Sequence, residues 1–158
     1  MDFSSAFGEK VLQCERIIGY SFRSKVLCAE ALNNARDSEA RYFLDGFSRQ
    51  LPKNDRLAVY GDSAANLYLC SLWLQRSLEK HHWTTIRHDL VGNDNLARVG
   101  REHGLDNCIN VNGGTVAVSP GMIATAVEAI LGAAERDGGR DALVQVMSHL
   151  GLAQHALL

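Results

Sequence analysis

The stretch NDRLAVYGDSAANL, residues 54–67, sets Asp55 and Asp62 on either side of a small apolar residue, Ala58. Residues three and four apart on a helix share a face, so positions 55, 58 and 62 line one stripe. Further along, positions 125 and 128 line another, with Thr125 and Glu128. If the two helices cross at these stripes their side chains converge. Asp55, Asp62 and Glu128 then supply carboxylates, while Ala58 and Thr125 supply none. Gathered carboxylates suit hard divalent cations, which take oxygen ligands and assist phosphodiester cleavage by holding water and the leaving oxygen. Spacing alone leaves a second reading open, a solvated acidic face.

Outward from this stretch, apolar residues recur at helical spacing. Val11, Leu12, Ile17 and Ile18 predict a helix stopped by Gly19, and Ser24 predicts the cap of a second helix carrying Val26, Leu27, Ala31 and Leu32. Residues 35–53 are polar and read as turns with a short helix. From about 54 to 79, Leu57, Tyr60, Ala64, Leu67, Cys70, Leu74 and Leu78 predict the longest, central helix. A His-rich connection leads to a helix over Leu90–His103, and VNGGTVAVSPG predicts a turn with a short extended piece. Ser119-Pro120 then starts a helix ending near Asp137-Gly138-Gly139, with a last one over about 141–150. No strand pattern long enough for a sheet is present, so the expected fold is all-α, as one domain over residues 1–158.

With 46% hydrophobic and 22% charged residues the chain has a globular composition, and its formal charge of −2 provides no general attraction to polyanions. Nucleic-acid binding would need a local basic face. Cys14, Cys28, Cys70 and Cys108 lack a C-x-x-C pair and lie in or beside apolar runs, which predicts buried free thiols in a reducing compartment. MDFSSAFGEK lacks a basic region followed by an apolar core, and no apolar run approaches a membrane span. The expectation is a soluble intracellular protein with no membrane partner.

Residue identities add a resemblance. NDRLAVYGDS is similar to the signature N-E-R-L-E-F-L-G-D-S of the ribonuclease III family: Asn54, Arg56, Leu57, Gly61, Asp62 and Ser63 match, and Asp55 is a conservative match. ERIIGYSFRSKVLCAEALNNA, residues 15–35, resembles the family's opening segment, with its aromatic pair at Tyr20 and Phe22. LVGNDNLARVGREHGLDNCI, residues 90–109, and IATAVEAILGAAERDGG, residues 123–139, resemble two later blocks in the family's order.

The resemblance implies an RNase III-type helical endonuclease domain, in a minimal form without the double-stranded RNA-binding domain that many members carry. It implies Mg²⁺ or Mn²⁺ held by four carboxylates, whose positions here are Ala58, Asp62, Thr125 and Glu128, so Asp62 and Glu128 are the retained metal ligands, assisted by Asp55. A further family acid falls at Lys80, beside Glu79. The implied substrate is double-stranded RNA, recognised by a homodimer or by a heterodimer with another RNase III-type chain. The signature phenylalanine at the dimer contact is Val59 here, a smaller knob. Arg76, Lys80, His81, His82, Arg87 and His88, with Trp83 among them, form the densest basic stretch and the candidate RNA face, and Lys53 and Arg56 adjoin the acidic stripe. A solvated loop is the alternative for the basic stretch.

Two functions follow. One is double-stranded RNA recognition with metal-dependent cleavage by a reduced carboxylate set. The other is a catalytically inactive relative serving as an RNA-binding or ribonucleoprotein component, such as one in a ribosome. A G-D-S esterase with Ser63 as nucleophile would need a strand feeding a sharp turn and an Asp-x-x-His pair, and neither His149 nor His155 has an aspartate three residues before it. A zinc site at the histidines lacks acidic or cysteine partners.

Overall fold

The computed structural model describes residues 6–36, 41–44 and 46–158. Helices dominate, in the order α1 (Ala6–Ile18), α2 (Lys25–Ala31), α3 (Asp55–Leu74), α4 (Lys80–Val91), α5 (Asn93–Glu102) and α6 (Pro120–His149), with a 3-10 turn at Leu105–Cys108. The all-α expectation holds, with one addition. Strands β1 (Arg41–Leu44) and β2 (Phe47–Gln50) pair antiparallel, Arg41 opposite Gln50 and Tyr42 opposite Arg49, where turns and a short helix were expected. Tyr42 is buried against Phe7 of α1, anchoring the hairpin to the core.

α1 buries Val11, Cys14 and Ile18, one helical face, and stops where Gly19 takes φ +67°. The start of α2 is held from a distance. The Asp137 carboxylate of α6 accepts the Arg23 and Ser24 backbone N–H groups at 2.8 and 2.9 Å and the Tyr20 hydroxyl at 2.7 Å. Burial tends to raise this carboxyl, but the Ser24 and Arg23 donors with Tyr20 hold it below the ordinary range. Asn54, the first residue of the signature, is buried. Its Nδ2 donates to Ala31 O at 2.9 Å and its backbone N–H to Asn33 O at 2.8 Å, which fixes the start of α3 against the end of α2.

The central element is α6 rather than α3. Ile123, Ala124, Ala126, Val127, Ala129, Ile130, Leu131, Ala133 and Ala134 are all buried, so this helix is apolar over most of its circumference, with Thr125 and Glu128 on its one polar side, whereas α3 leaves Val59, Leu67 and Leu74 exposed. Ser119 caps α6 by accepting the Met122 N–H at 3.2 Å, with Pro120 in the first turn, as the sequence predicts. The expected break near 137–139 is a kink at Gly139, φ +72°, after which the helix continues. The His-rich connection is itself helical: α4 buries Ile86, Leu90 and Val91, and Gly92 separates it from α5.

Candidate functional site

The packing of α3 on α6 is the most extensive between helices among the described residues, and glycines set its closest approach. A Cβ on Gly61 would stand 1.7 Å from Glu128 O, and one on Gly132 would stand 2.5 Å from Leu57 O. Only residues without a side chain permit this crossing. On α3 the seam is Ala58, Gly61, Ala65 and Leu69, all buried. Asp62 follows the α3 glycine and Glu128 stands one turn before the α6 glycine, so the crossing delivers both carboxylates to one place.

They share an open cavity of about 460 Å³ with Trp83, Thr84, Arg87, His88, Val91, Gly92 and Asn93. Burial, followed by the nearby Asp62 charge, raises the Glu128 pKa from 4.5 to about 7. Ala58 is buried in the seam, and the Thr125 hydroxyl donates to Gly121 O at 2.9 Å, back into its own helix. Asp55 lies elsewhere, about 10 Å earlier along α3 at a helical rise of about 1.5 Å per residue. It lines a second cleft with Arg36, Pro52, Lys53 and Arg56, and its Oδ1 accepts the Arg56 N–H at 2.9 Å. Among the described residues no group of three or more His, Cys, Asp or Glu is placed to hold a metal ion. The carboxylates lining the cavity are a pair, Asp62 and Glu128. Such a pair suits one dication, since Mg²⁺ needs only one or two carboxylates when waters and substrate phosphates complete its shell.

The basic stretch divides. Arg87 and His88 reach the cavity and Trp83 forms part of its wall, its ring 6.2 Å from that of Trp73. Lys80, His81 and His82 occupy the first turn of α4, outside the residues lining this cavity; the His81 and His82 rings lie 4.0 Å apart, tilted by 41°, and His81 is 3.3 Å from Glu79. Arg76 lines a separate cleft with Leu72, Gln75, Ala153 and Leu158. Ser63 sits inside α3 with its hydroxyl on Val59 O, a helix position rather than a nucleophile turn. One contributor escaped the sequence reading. Asn66 donates from Nδ2 to Asp62 Oδ1 and Asp62 O, both at 2.8 Å, and its Oδ1 accepts from Arg87 Nε at 2.9 Å. Its place four residues after Asp62, on the same helix face, was the available signal.

Residues 55–139 match the Ribonuclease III domain model, more than half of the chain. The chain belongs to the ribonuclease III family. It is similar to Ribonuclease 3 of Rhodopirellula baltica, 29% identical over 155 residues covering 94% of this chain and 54% of that protein. It is also similar to Ribonuclease 3 of Bordetella petrii, 29% identical over 139 residues covering 84% and 50%. The chain thus spans about half the length of the curated relatives it matches. Its fold is similar to that of the nuclease domain of Ribonuclease III from Campylobacter jejuni, with TM-score 0.69, 22% identity and coverage of 90% of this chain and 94% of that one. That structure is described as showing flexibility in a region involved in dimer formation. Among the described residues of this ribonuclease III domain, no helix is long and apolar enough to cross a membrane.

The raised Glu128 pKa has a sign that can be measured. A carboxyl ionising at 4.5 when unfolded and at about 7 when folded carries no penalty below pH 4.5, and the fold loses stability as pH rises from there through 7. With no divalent cation present, Glu128→Gln is therefore expected to stabilise the domain at pH 8 by about 1 kcal/mol, after allowance for solvent screening of a half-buried group, and to have little effect at pH 4.5. Urea denaturation at both pH values checks this; equal effects at both would mean that Glu128 is solvated.

Proposed function

We propose that this domain recognises double-stranded RNA as a homodimer, with Asp62 and Glu128 retained as a one-cation site in place of a two-metal centre. The observation that carries the reading is the cavity itself. Two carboxylates face it while Ala58 is buried and the Thr125 hydroxyl turns back into its helix, and Arg87 and His88 stand at the wall. Asp62 and Glu128 would hold the cation, which when bound would supply Lewis-acid assistance to water, and no further carboxylate stands beside them for a second ion. Arg87 would meet the phosphate backbone, held by its hydrogen bond to Asn66. The same reading suits a component of a ribonucleoprotein. A second reading, slow cation-dependent cleavage, is favoured by the convergence of Asp62 and Glu128.

The dimer reading rests on α3. Val59 and Leu67 are 71% and 68% exposed on a helix face eight residues apart. Leu67 also lines, with Tyr60, Ala64, Tyr68 and Leu143, a largely apolar groove of about 270 Å³ that Glu135 and Arg140 border. An apolar stripe of this kind is the part of a surface that association covers. Leu67→Glu is expected to convert a dimer into a folded monomer in analytical ultracentrifugation; an unchanged sedimentation coefficient would place the interface elsewhere. A heterodimer with another RNase III-type chain would use the same face, and its signature would be a monomeric wild type that dimerises only with that partner.

Binding is tested by titrating a labelled RNA duplex at two salt concentrations, with a DNA duplex of the same sequence alongside. Salt-sensitive binding of the RNA, weakened by Arg87→Ala about fivefold, is expected. Equal affinity for both duplexes, or none, would remove the RNA reading.

A further inference from the structure

His155, in the C-terminal segment, lies 2.9 Å from Asp89 of α4 through its Nε2, and its side chain is only 13% exposed. The Leu157 backbone N–H donates to His155 Nδ1 at 3.1 Å. A ring nitrogen that accepts carries no proton, so in the neutral ring the proton sits on Nε2 and is donated to Asp89 Oδ2. The segment is itself fixed: Leu150 and Leu152 are buried, and the Leu152 N–H donates to Met147 O at 2.8 Å. The other oxygen, Asp89 Oδ1, is 3.3 Å from Nδ1 of His88. Hydrogen bonds from His155 and then His88 hold the Asp89 carboxyl below its ordinary range.

His88 belongs to the wall of the Asp62–Glu128 cavity and also to an adjoining one of about 480 Å³ with Asn93, Asn95 and Arg98. Its ring is otherwise exposed, so it would turn freely unless pinned. In the tautomer that donates Nδ1–H to Asp89 Oδ1, the His88 ring leaves Nε2 as an acceptor. A phosphate oxygen donates nothing to such an acceptor, whereas a ribose 2′-hydroxyl does.

We infer that His88, positioned by Asp89 and His155, accepts a hydrogen bond from a ribose 2′-hydroxyl and so selects RNA over DNA at the cavity. The inference rests on the double-stranded RNA reading above. Here His88 is the group that touches the nucleic acid, and Asp89 and His155 are positioning residues that act through it.

The test, at pH 8, compares an RNA duplex with a 2′-fluoro duplex, which keeps the A-form shape and loses the donor. One lost hydrogen bond of ordinary strength corresponds to about a fivefold change in affinity. His88→Ala is expected to weaken RNA binding by about that factor and to leave binding of the 2′-fluoro duplex unchanged. Asp89→Ala should do the same, and the double variant should lose no more than either single one, because the two act as a unit. Equal losses on both duplexes, or additive losses in the double variant, would overturn the inference. A second readout needs no RNA: the ¹⁵N shifts of the His88 ring should move in Asp89→Ala and in His155→Gln, and unmoved shifts overturn the positioning roles. Wild-type protein that binds neither duplex defeats the RNA reading itself, whereas binding with these variants unaffected defeats only the His88 assignment.

Discussion

Gly61→Ala is expected to destabilise the domain by about 3 kcal/mol, at the upper end of what an inserted methyl group costs in a packed core. The new Cβ would stand 1.7 Å from Glu128 O and 2.7 Å from Gly132 N, and both are backbone atoms of a central helix that cannot turn aside as a side chain would. α3 and α6 would have to separate, opening Glu128 to water and carrying Asp62 away from it, so the variant should also lose the raised Glu128 pKa. The same substitution at Gly121 serves as the counter-case. The nearest heavy atom to a Cβ there would be Ser119 Oγ at 4.0 Å, Gly121 lies in the first turn of α6, and replacing glycine by alanine should stabilise the fold by about 0.5 kcal/mol. Chemical denaturation of the two variants separates these outcomes. A Gly61→Ala protein as stable as wild type would contradict the close crossing on which the site is built.

The second large effect is a gain. Ala58→Glu combined with Thr125→Asp returns oxygen ligands to the two positions where the family resemblance places carboxylates. Ala58 is buried in the seam, so without a cation the added charge should lower thermal stability. With Mn²⁺ at a hundredfold excess over its dissociation constant, binding to the folded state alone returns about 2.7 kcal/mol. The double variant should therefore show a far larger Mn²⁺-dependent rise in melting temperature than wild type, together with cleavage of duplex RNA. A rise no larger than that of wild type would mean that positions 58 and 125 do not face the Asp62–Glu128 cavity, and the two-carboxylate account would need another geometry.

The meeting of Asp62 and Glu128 was legible only as a condition, from helical spacing and the family resemblance. The small residues that bring it about, Ala58, Gly61 and Ala65 on one helix and Gly132 among alanines on the other, carry the spacing of a close seam but do not by themselves say which helix they face. The hairpin was not legible as a sheet. Each of its strands has four residues and β2 is exposed throughout, so little apolar alternation appears, and the Asp45–Gly46 dipeptide, a strong turn signal, went unused. Helix α4 was hidden for another reason. KHHWTTIRHDLV is rich in histidine and β-branched residues of modest helix propensity, and burial of Ile86, Leu90 and Val91 decides its conformation. That conversion of a connection into a helix is what separates Arg87 and His88 from Lys80 and His81. Asp55 shows the limit of the stripe argument, because two turns of helix carry a residue on the same face into a different cleft.

The most direct measurement is incubation of the purified chain with a long RNA duplex it binds, first in Mg²⁺ and then in Mn²⁺, with a chelator and Glu128→Gln as controls. The proposed one-cation site predicts duplex that is bound and remains intact, since Asp62 and Glu128 are the carboxylates at the cavity and Ala58 and Thr125 supply none. Short duplex products that vanish both with the chelator and with Glu128→Gln would contradict it, and would mean that two carboxylates on this crossing are enough for cleavage.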